Sequence, residues 1–124
     1  MRYMIMHKLD ENVPGAFDPS PEFVTQMGAF IEEVAKSGVL LAAEGLTKSS
    51  KDDAARITAS KGKTTVIDGP FTETKELIAG FALVEVRSKE EAVEWGRRFT
   101  QVFVDNGLDV EVDVRRVHEG PGEG

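Results

Sequence analysis

The stretch DGPFTETKE, Asp68 to Glu76, follows the β-type run Thr64-Thr65-Val66-Ile67 and gathers a turn, an aromatic ring and four ionisable side chains. Asp68-Gly69-Pro70 is turn chemistry first: the aspartate oxygen accepts backbone N–H groups two residues on, glycine takes unusual dihedrals, and proline fixes φ. Phe71 then anchors the loop in the core or against a partner subunit. Glu73, Lys75 and Glu76 are more charge than a corner needs, and they read equally as a solvated turn or as part of a site. His7 is the leading single candidate for moving a proton, because imidazole titrates near neutral pH. It lies on an apolar strand face, with Asp68 and Glu44 at the ends of other strands as orienting partners. In that reading His7 and Asp68 are catalytic, Glu44 and Phe71 line the site, and Lys75 or Arg115 steadies an anionic substrate. The bland alternative for His7 is a core or interface histidine with its hydrogen bonds satisfied.

Other chemistries lack their residues. Two distant histidines and no cysteine give no metal-ligand spacing. There is no phosphate-cradling glycine loop, serine elbow or dinucleotide fingerprint, so neither metal nor cofactor is expected. His118, beside Glu119-Gly120, reads as inert.

A chain of 124 residues is one domain by size. We expect that domain over residues 1–118, with 119–124 as a flexible polar tail. Fifteen Lys and Arg against 22 Asp and Glu give a formal charge of −7, a field that repels phosphate backbones and anionic membrane surfaces. Nucleic acid and membrane are therefore not expected partners. The absence of cysteine fits a reducing cytoplasm, and MRYMIMHKLDE is too short in its apolar run for a signal peptide or a spanning helix.

The elements that must position these residues follow from hydrophobic period. Met1 to Lys8 alternates Tyr3, Ile5 and His7 with Met4, Met6 and Lys8, as a strand does. Asp10 to Pro21, with three prolines and a glycine, is a long connection of the kind that carries function and can lie over a pocket. Ser20-Pro21-Glu22 starts a helix whose apolar stripe is Phe23, Met27, Phe30, Ile31 and Val34, ended at Gly38. Val39 to Ala43 is a strand closed by Glu44-Gly45. Ala55 to Ala59 and Lys63 to Ile67 flank the turn Ser60-Lys61-Gly62 as a hairpin. Gly80 to Val86 is a strand, and Ser88-Lys89-Glu90-Glu91 is a capping box opening a second helix through Ala92, Trp95, Phe99, Val102 and Phe103. Gly96 inside that helix predicts a close neighbour. Val110 to Arg115 alternates as a final strand.

The order strand, helix, strand, hairpin, strand, helix, strand is a ferredoxin-like α+β plan with an antiparallel sheet covered by helices on one face. Because Met4 and Met6 are apolar as well as Tyr3 and Ile5, both sheet faces read as apolar. A homodimer burying sheet against sheet is expected.

Asp68-Gly69-Pro70-Phe71 with Glu73, Lys75 and Glu76, then Leu77-Ile78-Ala79-Gly80-Phe81, resembles the DGPF-containing branch of the YCII-related family. The likeness extends to MRYMIM, to SGVLLAAEGL at 37–46, to SKEEAVEWGRRF and to VEVDVRRV. The resemblance implies a dimeric α+β barrel. It implies little about chemistry, since acid–base relatives of YCII type carry a helix histidine facing an aspartate, and the matching position here is Met27. Two functions remain open: a homodimeric module binding an unknown small molecule, or a cofactor-free lyase, isomerase or hydrolase using His7.

Overall fold

The structure is a computed structural model that describes residues 1–120. Eight elements run β1 (Arg2–Leu9), α1 (Pro21–Lys36), β2 (Leu40–Gly45), β3 (Ala55–Ser60), β4 (Lys63–Asp68), β5 (Leu77–Glu85), α2 (Lys89–Asp105) and β6 (Glu111–Arg116). Four strands form one sheet in the order β2-β5-β1-β6, every neighbouring pair antiparallel, while β3 and β4 form a separate hairpin. Each helix crosses over a strand that belongs to the other half, which is the ferredoxin-like plan expected from the element order.

Local chemistry sets the boundaries. Ser20 Oγ accepts from Phe23 N at 3.1 Å and Pro21 takes the first turn of α1. Gly38 has φ +86°, the left-handed region that glycine enters without a Cβ penalty. At α2, Ser88 Oγ accepts from Glu91 N, but the returning Glu91 carboxylate takes the N–H of Arg87 rather than that of Ser88. Asn106 closes α2 by donating from Nδ2 to Val102 O, and also to Gln26 Oε1 of α1, which ties the two helix ends together.

One sheet face carries the core. Tyr3 sits opposite Val84 and Ile5 opposite Ala82. These four are buried with Val34 of α1 and Ala92 of α2, and Phe30 and Trp95 pack against them. A Cβ on Gly96 would lie 3.0 Å from Val114 Cγ2, so the glycine lets α2 approach β6, which is the close neighbour predicted for it. The other face has Met4 opposite Leu83 and Met6 opposite Phe81, all half-buried, with Lys8, Glu44, Glu85, Glu111, Asp113 and Arg115 around them. Both faces are thus apolar at the centre, as the alternation of β1 implied.

Two boundaries differ from the sequence reading by more than one residue. β5 starts at Leu77 rather than Gly80, because a register shift between His7 and Lys8 lets Lys8 and Leu9 continue pairing with Ile78 and Leu77. Glu44 and Gly45 lie within β2 instead of closing it, paired with Phe81 and Gly80. At the carboxyl end, Arg2 N donates to Glu119 Oε1 and the Arg2 side chain donates to His118 O. The beginning of the expected tail is therefore held to β1, and residues 121–124 lie outside the described residues. No helix among the described residues is long and apolar enough to cross a membrane.

Candidate functional site

Three connections meet beside the start of β5, and a buried carboxylate joins them. Glu11 follows β1 and is buried. It accepts from Ser49 N at 2.9 Å and from the Ser49 hydroxyl. Ser49 Oγ in turn accepts from Phe71 N at 2.9 Å. The loop after β1, the loop after β2 and the corner after β4 are thereby fixed to one another. The Ser49 hydroxyl and N–H hold the Glu11 carboxyl below its usual range, overcoming the opposing effect of burial. Asn12 Nδ2 adds a bond to Thr72 O at 2.7 Å.

Gly69 makes this junction possible. A Cβ there would fall 2.0 Å from Ser49 O and 2.7 Å from Ser50 O, so only glycine lets the corner lie on the β2–β3 loop. Its N–H donates to Ala54 O at 2.9 Å. Phe71 projects from the corner under the Arg56 guanidinium, 4.2 Å from the ring centroid, while Arg56 reaches Glu73 Oε1 at 2.7 Å and Thr74 Oγ1 at 2.9 Å. Of the charges in DGPFTETKE that exceed the need of a turn, Glu73 is matched by Arg56, a residue of β3, and Glu76 by Lys8.

Against this corner lies an open cleft of about 240 Å³. Phe17, Leu46, Phe71, Leu77 and Ile78 supply apolar wall, and Lys48, Ser49 and Asp53 supply polar groups. Asp53 accepts from Ser50 Oγ at 3.2 Å, so its carboxylate is oriented by its own loop. Phe17 comes from the Asp10–Pro21 connection, which does border a pocket. The cleft thus offers apolar walls, one ammonium and one oriented carboxylate.

The residues proposed from sequence separate into three places. Phe71 lines the cleft, and Asp68 and Lys75 are exposed on the same corner. Glu44 and Arg115 lie on the open sheet face, opposite Phe81 and Met4. His7 faces the helices, its ring 5.3 Å from Phe99 and 5.4 Å from Phe103 between centroids. The register that pairs His7 with Gly80 and Glu44 with Phe81 sends the two side chains to opposite faces. No hydrogen bond among the described residues joins His7 to Asp68 or Glu44, and His7 Nδ1 is buried without a partner. Burial pushes the imidazole down to about 4, because the charged form loses its water and gains no anion. The ring fits only because Gly80 opposite it lacks a side chain, since a Cβ there would come within 2.6 Å of His7 Cε1.

Glu11, Ser49, Lys48, Phe17 and Arg56 were not among the residues singled out by sequence. The sequence marks Gly69 only as a turn glycine, not as the close backbone approach it makes. Among the described residues, no three His, Cys, Asp or Glu side chains converge as metal ligands.

The sequence pattern of the YCII-related domain matches residues 1–118. The chain belongs to the YCII-related family. An uncharacterised protein of Rhizobium meliloti (strain 1021) is 31% identical over 109 residues, 86% of each chain. Among solved structures, this YCII-related chain is similar to 5-chloro-2-hydroxyhydroquinone dehydrochlorinase from Burkholderia phenoliruptrix AC1100 in complex with 2,5-dihydroxybenzoquinone. The TM-score is 0.53 at 16% identity, with both chains covered in full. At that identity the likeness shows a shared α+β fold.

Two outcomes follow from this geometry. Glu11→Ala strands the buried Ser49 donors and is expected to cost about 3 kcal/mol in chemical denaturation, whereas Asp68→Asn, at an exposed strand end, changes stability by less than about 0.5 kcal/mol. A large loss in Asp68→Asn with little in Glu11→Ala would reverse the roles assigned here. For His7, the unfolded chain takes up its proton near pH 6.5 and the folded chain only near 4. This contribution is full above about 6.5, falls as pH drops and levels off below about 4, a loss on the order of 3 kcal/mol. The difference in unfolding free energy between wild type and His7→Gln should show that slope. A difference independent of pH over this window would mean that His7 is solvated.

Proposed function

We propose that the protein is a homodimeric small-molecule-binding module of the cytoplasm, and that its ligand is a one-ring organic acid held in the corner cleft. The observation that carries the reading is the cleft itself, aromatic and aliphatic on its walls, with one lysine and one oriented carboxylate, built on backbone locked by Glu11 and Ser49. Small ligands bind where apolar walls supply contact and a few fixed polar groups supply orientation. Pairing of two chains through the open sheet faces, as a dimeric α+β barrel, is supported by Met4, Met6, Phe81 and Leu83, which nothing else among the described residues covers. The cytoplasmic placement rests on the absence of cysteine from the chain. The solved relative is bound to 2,5-dihydroxybenzoquinone, a one-ring acidic molecule, which makes that class a reasonable set of probes.

A second reading, a cofactor-free enzyme with His7 as proton carrier, is favoured by one observation: the buried Nδ1 has no hydrogen-bond partner among the described residues. It takes second place because the imidazole is a weak base in that setting and lies among Phe99 and Phe103 rather than in the cleft.

Calorimetric titration with 3-hydroxybenzoate and 2,5-dihydroxybenzoquinone tests the first reading. Wild type should bind at least one of them, and Lys48→Ala should weaken that binding at least tenfold, about 1.4 kcal/mol. No binding of either, or equal binding by Lys48→Ala, would contradict it. The enzymatic reading predicts that His7→Gln keeps its fold and abolishes any turnover of such a ring compound. Turnover by wild type that survives in His7→Gln would remove it.

A further inference from the structure

The hairpin of β3 and β4 raises a problem of stability. Its strands pair with each other in full register from Ala55 opposite Asp68 to Ser60 opposite Lys63, yet neither packs substantially against another strand or helix among the described residues. Two-stranded hairpins are marginal in water by themselves and need a further surface to lie on. The turn is well made, with Lys61 at φ +52° and Gly62 at φ +79°, the pair of positive values that a two-residue hairpin turn requires. A good turn fixes register but buries nothing.

The two faces of this arm are unequal. Arg56 turns toward the corner, bound to Glu73 and Thr74. Its neighbour Ile57 therefore points away from the corner, directly opposite Val66 in the ladder. Ile57 is 68% and Val66 is 64% exposed, and Ala55, Ala59 and Thr64 share their face, with Asp68 at the end of the ladder nearest the corner. This is a β-branched stripe of the type that strands bury. The arm is also basic: Arg56, Lys61 and Lys63 stand against Asp68 alone, in a chain whose net charge is −7. The rest of the molecule is correspondingly acidic; around the open sheet face Glu44, Glu85, Glu111 and Asp113 stand with Lys8 and Arg115, and Lys8 already holds Glu111 and Asp113, which leaves Glu44 and Glu85 to meet a further cation.

We infer that the β3–β4 arm embraces a second copy of this chain, laying Ile57 and Val66 on its partner and bringing Lys61 and Lys63 to Glu44 and Glu85 at the margin of its open sheet face. The inference rests on the homodimer proposed above and extends its interface. The arm leaves the sheet from β2, the edge strand, and returns into β5, so it stands at an edge of the sheet whose open face the proposed dimer covers. Opposite charge favours the same chain as occupant, since a basic arm meets an acidic body only in a copy that carries both. In an isologous pair each chain would supply one arm and receive one.

The test is made on the full chain at micromolar concentration, by sedimentation equilibrium and by isotope-filtered NOE spectroscopy on a mixture of labelled and unlabelled chains. The expected result is a mass of two chains, NOEs from the Ile57 and Val66 methyl groups to the unlabelled chain, and a dimer dissociation constant raised at least tenfold in Ile57→Thr/Val66→Thr. Threonine keeps the branched Cβ that strands favour, and an unchanged circular dichroism spectrum shows that the variant is folded. A two-chain mass with no intermolecular NOE to the arm and an unchanged dissociation constant overturns the arm while leaving the sheet-paired dimer. A one-chain mass overturns both.

Discussion

A carboxylate leaves water only where donors replace it, and the Glu11 carboxylate is the constraint on which the loop end of the sheet depends. Among the described residues a single backbone bond, Gly69 N–H to Ala54 O, joins the loops after β2 and β4. The loop after β1 is tied to both by side chains: Glu11 accepts from Ser49, which accepts from Phe71, and Asn12 donates to Thr72 O. The arrangement is directional as well as stabilising. Because the serine hydroxyl gives its proton to the carboxylate, its oxygen is left to receive the Phe71 amide. Gly69 then allows the corner to lie directly against Ser49 and Ser50, and Arg56 covers the Phe71 ring. Phe17, Lys48 and Phe71, distant in sequence, come to border one cleft through these contacts.

The sheet divides the remaining chemistry. Its helix-facing side buries Tyr3, Ile5, Ala82 and Val84 and continues into an aromatic group of His7, Phe23, Phe99 and Phe103, where Phe23 and Phe103 lie 4.9 Å apart edge to face. In that company an imidazole is a neutral, flat, partly polar ring. Its charged form has no anion to meet. The opposite side is apolar at its centre and charged at its margin, with Lys8 held between Glu111, Asp113 and Glu76. The Glu111 hydrogen bond foremost, and then that of Asp113, keeps the Lys8 ammonium protonated well above its ordinary range.

The fold could be read from the sequence because periodicity and capping are local. Tyr3, Ile5 and His7 were expected on one face of β1 and share it, Ser20 and Ser88 cap their helices, and Gly96 marks the place where α2 meets Val114. Site residues depended on long-range register, which one sequence does not carry. Glu44 seemed able to reach His7 until the irregularity in β2 between Leu40 and Ala42 set it facing the other way. Asp68, the most conspicuous acid of its loop, is exposed, whereas the inconspicuous Glu11, in a proline-rich connection, is buried. Nothing in its neighbours Asp10 and Asn12 announces a buried carboxylate, since its partner Ser49 lies 38 residues away.

The most direct measurement of this account is amide hydrogen exchange at Ser49 and Phe71 in wild type and in Glu11→Gln, with the β1–β5 amides as reference. If Glu11 joins the loops, both amides are protected in wild type and lose protection together in the variant, while the β1–β5 ladder exchanges as before. Protection of Ser49 and Phe71 that survives in Glu11→Gln, or loss that spreads equally through the ladder, would contradict it.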